Sequence, residues 1–245
     1  MERIQNKRRT ITNIEKLEIS QPGFSSGISL QLHKIILGGE HRSLNEIEKS
    51  KIVEEAAEAY GKFLDALGVD WRSDPNSMES PHRIAKKFVN DTWKGRYNLP
   101  SDIASFPSDG YVGIILEKNI PLTSMCAHHH ESILGKVHIA YIPGEEGKVV
   151  GLSKLNRIVE HFGRRGQIQE GLTVAIHNAI NEICEGNIGV IVVIEATHQC
   201  VSCRNLNHKG SSMITSHVSG VFADHTKTAK QEVLNFIQMS PQNPL

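Results

Sequence analysis

The chain has 245 residues and a formal net charge of zero, with 27 Lys and Arg against 27 Asp and Glu. That balance argues against a protein built to coat nucleic acid. The densest apolar run, Ile188 to Ile194, is far too short to span a bilayer, so no membrane role is expected. Hydrophobic residues make up 39% and charged residues 22%, which fits a soluble globular protein.

The N-terminal run MERIQNKRR carries charge without an apolar stretch behind it, so it is not read as a secretory signal. Four cysteines, Cys126, Cys184, Cys200 and Cys203, are too few for a disulfide scaffold in a chain this long. A reduced, cytoplasmic protein is expected, and clustered Cys and His become candidates for metal binding or catalysis.

Residues 1–42 read as an extension. Gln21 to Gly27 is rich in turn formers, and Gly38-Gly39 is a second break. Ser43 and Glu46 have capping-box spacing, and Ile47, Ile52, Val53, Ala56, Ala57, Tyr60 and Leu64 then recur at helical intervals as far as Gly68. A second helix is expected after Pro81, which suits a first turn, running through Ile84, Ala85, Phe88 and Trp93 to a stop at Gly95.

Strands are expected near Ile120–Met125 and Lys136–Tyr141. A turn at Gly144–Gly147 leads to Val149-Val150. Helices follow over about 153–164, with Leu155, Ile158, Val159 and Phe162 on one face, and over about 169–184, with Leu172, Ile176, Ala179, Ile180 and Ile183 inward. Ile188 to Ala196 is a β-branched run and reads as a buried strand. One more strand, Met213–Val218, and a terminal helix, Lys227–Ile237, complete a mixed chain.

Two stretches stand out chemically: Ser124-Met125-Cys126-Ala127-His128-His129-His130 and Thr197-His198-Gln199-Cys200-Val201-Ser202-Cys203-Arg204. Zinc favours thiolate and imidazole donors, and these stretches offer both. On a strand, alternate residues share a face. Val190, Val192, Ile194, Ala196, His198 and Cys200 share one parity, and Cys203 has the other.

A closed structural zinc site could use Cys126, His129, Cys200 and Cys203. The gap of about seventy residues between its halves is much longer than in common zinc knuckles and ribbons, and it would leave His128 and His198 without a role. An open site with three protein ligands is preferred. His130 reads as a surface side chain, and Cys184 as helix core.

Three further features carry weaker signals. Ser153 could cap a helix whose free N–H groups attract anions. Lys154 and Arg157 share its outer face, although a solvated cationic face is their usual fate. Glu170 follows Gln167-Ile168-Gln169; a carboxylate there could accept two parallel N–H bonds from a guanine edge, or merely favour a helix dipole.

Together these stretches resemble the GTP cyclohydrolase I family. The resemblance rests on Ser80-Pro81-His82-Arg83-Ile84-Ala85-Lys86, the Cys126–His129 cluster, Gly135 to Pro143, Gly151 to Val159, Gln167 to Glu170 and Glu195 to Cys200, which occur in the family's order. It covers about residues 43–240.

It implies an α+β T-fold: an antiparallel sheet with paired helices on one side, forming a barrel on oligomerisation, preceded by N-terminal helices. The expected division is 1–42 extension, 43–110 helical region and 111–245 catalytic T-fold. A homodecamer with pockets between subunits is implied as well.

Carried over by position, Cys126, His129 and Cys200 look like ligands of Zn2+, whose activated water attacks C8 of the guanine. His198 resembles the proton donor to the imidazole nitrogen, and His128 a second catalytic histidine. Glu170, helped by Gln169, would hold the guanine edge. Lys154, Arg157, Arg204 and Arg83, with Ser153 nearby, resemble a triphosphate clamp, since guanidinium forks match phosphate oxygens.

The implied reaction converts GTP and water to formate and 7,8-dihydroneopterin triphosphate, a product that feeds folates, pterins or deazaguanines. Departures from the family pattern are Ala127 where Glu is usual, Asn205 where Gly is usual, the glycines Gly166 and Gly171, and Cys203. The alternatives are a related enzyme acting on another purine nucleotide such as dGTP, a non-catalytic zinc module, and an inactive scaffold.

Overall fold

The computed structural model describes residues 43–98, 103–203 and 210–239. The expected extension, Arg204 and Asn205 lie outside them.

The first helix, α1, runs Glu46–Ala66. Its capping box is Asn45 with Glu48, two residues later than the expected Ser43 and Glu46: Glu48 N–H donates to Asn45 Oδ1 (2.9 Å), and Asn45 N–H to Glu48 Oε2 (2.8 Å). The shift has a packing cause. Leu44 is buried and its N–H donates to Tyr97 O at 2.9 Å, which holds the chain extended past Ser43. Ile47, counted on the inner face, is 71% exposed.

Helix α2 runs Ser80–Lys87 with Pro81 in its first turn. A π turn, Phe88–Thr92, and a short helix α3, Lys94–Tyr97, follow. Gly95 therefore lies inside a helix and is no stop. Its N–H donates to Arg164 O at 3.0 Å, and a Cβ there would stand 2.1 Å from His161 O. Only glycine permits that approach.

A short strand β1, Ser105–Pro107, pairs with β4, Lys148–Val150. The main sheet is antiparallel in the order β2-β3-β5-β6, from β2 Ile115–Met125, β3 Ser132–Pro143, β5 Asn187–His198 and β6 Met213–Val218. Between β4 and β5 the chain forms α4, Leu152–Gly163, and α5, Gln169–Ile183. A helical turn α6, Gln199–Ser202, leaves β5, and α7, Ala229–Gln238, closes the described chain.

Alternation along the strands sorts the core. Val190, Val192, Ile194 and Ala196 face α4 and α5 together with Val137, Ile139 and Tyr141, packing on Leu155, Ile158, Phe162, Leu172, Ile176 and Ile180. The opposite parity, Ala140, Ile142, Ile191 and Val193, packs on Phe222 and on Val233 of α7. This four-stranded antiparallel sheet with paired helices on one face is the expected α+β T-fold unit. The parity of β2 switches at a bulge between Glu117 and Ile120, where Asn119 has φ 62°. Next to it, Lys118 Nζ donates to Phe236 O (3.0 Å) and Met239 O (2.6 Å), capping the C-terminal end of α7.

His161 is buried beneath α3, and Arg165 donates to its Nε2. Burial first, and the Arg165 cation second, push its pKa down to about 3. The unfolded chain, with an ordinary imidazole, binds the extra proton from about pH 6.5 downward. Stability is therefore expected to fall as pH drops through that window, by about 2 kcal/mol between pH 7 and 5. Denaturant melts of the wild type and His161→Gln across this range check it. The variant keeps an acceptor for Arg165 and should show a flatter pH dependence.

No helix among the described residues is long and apolar enough to cross a membrane.

Candidate active site

The site gathers where β2, β5 and the loop before α5 end together. Cys126 follows β2 directly and is buried, and its N–H donates to Glu131 O at 2.8 Å across a tight turn. A parallel bridge joins it to Gln167. Gln167 N–H donates to Met125 O (3.0 Å), and Ala127 N–H to Gln167 O (3.3 Å). The Gln-Ile-Gln-Glu stretch thus fixes the metal-candidate turn through its backbone, a role that side-chain chemistry did not suggest.

Strand β5 ends at His198, opposite Ile133 of β3. The chain then coils into α6, so the alternation read through to Cys200 and Cys203 stops at His198. Cys200 reaches the site from a helical turn. One ligand atom from each of Cys126, His198 and Cys200 lies within 4.8 Å of the others. Two thiols and an imidazole are zinc donors, and bonds of about 2.0–2.3 Å would draw them closer together than the 4.8 Å within which they lie. The residues present therefore fit the metal.

His128 and His129 lie exposed on the turn after Cys126, with His128 Nδ1 3.8 Å from the Cys126 sulfur. His129, the implied third ligand, is outside the close group, and His198 is inside it. Cys203 is exposed and also outside it, which removes geometric support from the closed four-ligand alternative.

Gln169 occupies a different place from the substrate-facing one implied for it. It is 1% exposed. Its Nε2 donates to Ile194 O (3.2 Å), Met213 O (3.1 Å) and Thr215 Oγ1 (3.1 Å), while Oε1 lies 2.8 Å from His198 Nε2. Carbonyl oxygens only accept, so the amide orientation is fixed, and Oε1 must accept from a His198 Nε2–H. The other ring nitrogen is left for chemistry. Burial lowers the pKa of His198, and the carboxylate of Glu170 opposes that shift. Glu170, exposed on the first turn of α5, thus acts on the same ring.

The cationic candidates lie elsewhere. Gly151 is the N-cap of α4, and Ser153 sits inside the first turn making no capping bond. Asn156 of the same helix donates to Glu117 Oε1 at 2.6 Å, whereas the helix end, Gly163, packs on Thr123 O. Glu117 and Thr123 are separated by about 20 Å of strand. Ser153, Lys154 and Arg157 therefore stand toward the far end of the sheet from Cys126. Arg83 is exposed on α2. A single chain brings together the metal candidates, His198, Gln169 and Glu170, and leaves the clamp residues apart.

His130, read as a plain surface residue, has φ 54° and stacks edge-on against Trp93, with ring centroids 5.2 Å apart. The N-terminal helices thereby touch the metal-candidate turn. Gly166 explains one departure from the family pattern. Its φ is +67°, and a Cβ would meet Trp93 Nε1 at 2.5 Å. Gly166→Ala is expected to cost about 2 kcal/mol from the left-handed backbone and the clash together, read as a lowered thermal midpoint. An unchanged midpoint would contradict it.

Residues 56–238 match the family described as GTP cyclohydrolase I. The GTP cyclohydrolase 1 of Lysinibacillus sphaericus is 39% identical over 184 residues, covering 75% of this chain and 95% of the relative. That of Bacillus mycoides is 36% identical over 190 residues, covering 76% and 96%. A crystal structure of the archaeosine synthase QueF-Like in the apo form matches with a TM-score of 0.34 and 17% identity, over 44% of this chain and 93% of that one, too loosely to bear on the assignment. The family match spans the sheet, both helices and every described residue of the close group, so the chain belongs to the GTP cyclohydrolase I family.

Proposed function

We propose that this protein is a zinc-dependent GTP cyclohydrolase I, converting GTP and water to formate and 7,8-dihydroneopterin triphosphate. The observation that carries the reading is the convergence of Cys126, Cys200 and His198 beside Glu170, in a chain of this family. Cys126 and Cys200 would hold the metal with His129, which must swing in from the exposed turn after Cys126 to displace His198 as the third donor. Zinc bound there supplies the Lewis acidity that activates water for attack on C8.

The protein's own residues do the rest. Glu170 accepts the two N–H groups of the guanine edge and sets its orientation. Gln169 fixes the His198 ring, so that its remaining nitrogen can hold a proton for the guanine imidazole. His128, beside the Cys126 sulfur, assists the later proton transfers of ring opening and sugar rearrangement. Lys154, Arg157, Arg83 and Arg204 bind the triphosphate, with Ser153 at the same helix start.

The distance between the clamp residues and the Cys126 end within one chain supports a pocket shared between copies, in keeping with a homodecamer. Its product would enter pterin, folate or deazaguanine synthesis in the cytoplasm.

The test is formate release from GTP by purified protein, with and without a zinc chelator. Chelator-sensitive formate, together with pterin fluorescence after oxidation, is expected. No formate from zinc-loaded, folded oligomer overturns the reading.

A further inference from the structure

The helical turn α6 has a consequence for Cys203. Had β5 stayed regular, Cys203 would face away from Cys200. The chain instead coils at Gln199: Cys203 N–H donates to Gln199 O at 2.8 Å, and the Cys203 thiol donates to Gln199 Oε1 at 2.6 Å. Ser202 Oγ donates to the same Gln199 oxygen and to His198 O, both at 3.2 Å.

On such a turn, residues 200 and 203 are about 60° apart in projection, with Cα atoms about 5 Å apart, and the Cβ atoms must close by about 1–2 Å to reach the separation of a disulfide. Cα separations of about 4.4–6.8 Å suit a disulfide. Of the two thiols, Cys200 faces the close group with Cys126 and His198, and Cys203 is exposed to solvent. The remaining cysteines are shielded from a solvent oxidant, although the Cys126 sulfur lies within 4.8 Å of that of Cys200. Cys126 is 4% exposed, and Cys184 is fully buried in the core, with burial pushing its thiol up to about 12.

We propose that Cys203 is a peroxide-reactive modification site which, once oxidised, captures Cys200 in a disulfide and withdraws a metal ligand from the active site. The proposal rests on Cys200 being a zinc ligand. The Cys203 thiolate attacks one oxygen of hydrogen peroxide; the O–O bond breaks, hydroxide leaves, and sulfur becomes a sulfenic acid. The Cys200 thiolate then attacks that sulfur, the S–S bond forms and a second hydroxide leaves. Two protons convert the hydroxides to water. The two thiols are oxidised by two electrons, and the peroxide is reduced by two. Two of the three ligands remain, too few to retain zinc. A dithiol reverses the step.

The experiment treats the zinc-loaded full-length oligomer with hydrogen peroxide. It follows zinc release with a metallochromic dye, and the unreduced tryptic peptide 166–204, which carries Cys184 as well as Cys200 and Cys203, by tandem mass spectrometry that places the bridge between Cys200 and Cys203. A peptide lighter by two hydrogens should accumulate in step with zinc release, and dithiothreitol with added zinc should reverse both. Cys203→Ser and Cys203→Ala should hold zinc and release formate normally at rest, and should lose zinc at least about ten-fold more slowly under peroxide.

Absence of the light peptide from treated wild type overturns the proposal. So does zinc loss from the variants at the wild-type rate. Variants that fail to hold zinc at rest would mark Cys203 as a fourth ligand, which also overturns it. A wild-type chain that never loads zinc fails earlier, on the metal reading itself.

Discussion

Cys200→Ser is expected to remove bound zinc and to lower formate release from GTP by at least about a thousand-fold. The thiolate supplies both charge and a soft donor to the metal, and serine supplies neither at neutral pH. Cys200 is only partly buried, on a short turn that packs against the edge of the main hydrophobic core, and serine is nearly the same size, so the variant should fold and assemble.

Two companion variants divide the histidines. His129→Ala should lose zinc, because it would be a ligand. His198→Asn should keep zinc yet lose about a hundred- to ten-thousand-fold in kcat, the range typical of a lost general acid. Metal content by atomic absorption beside formate release reads both. If His198→Asn lost zinc and His129→Ala kept it, the close group of Cys126, His198 and Cys200 would itself be the ligand set.

The second large effect is expected at Gln169. Leucine there is close in size but removes four interactions at once. Ile194 O and Met213 O lose a donor in the sheet, Thr215 loses a partner, and His198 loses its acceptor. Buried groups left unpaired cost about 1–3 kcal/mol each, so a fall in stability of several kcal/mol is expected.

The catalytic effect should be separable from that loss. With Oε1 gone, nothing selects the His198 tautomer whose Nε2 carries hydrogen, and kcat should drop about a hundred-fold at temperatures where the variant is still folded, with KM for GTP changed much less. Nitrogen NMR of labelled histidine distinguishes the tautomers directly. A Gln169→Leu enzyme with normal kcat and an unchanged His198 spectrum would show that the amide only supports the sheet. A raised KM with normal kcat would instead return Gln169 to the guanine-binding role implied by the resemblance.

Much of this molecule was legible in its sequence because the relevant physics is local. The 3.6-residue recurrence of Leu155, Ile158, Val159 and Phe162 and the β-branched run before His198 each report which face is buried, and the structure buries those faces. Donor chemistry is local too: thiol and imidazole advertise a metal wherever they cluster, and Cys126 and Cys200 do meet.

What the sequence by itself could not decide depended on contacts between distant segments. Leu44 against Tyr97 moved a helix start, and His161 against Gly95 turned an apparent stop into a close approach. Period-2 reasoning carried β5 correctly to His198 and failed one residue later, because no residue there announces the helical turn that sets Cys203 near Cys200. Gln169 carried the same amide in the sequence as any substrate-binding glutamine. Only the sheet carbonyls around it, contributed by β5 and β6, fix which way that amide points, and hence which nitrogen of His198 is left for chemistry.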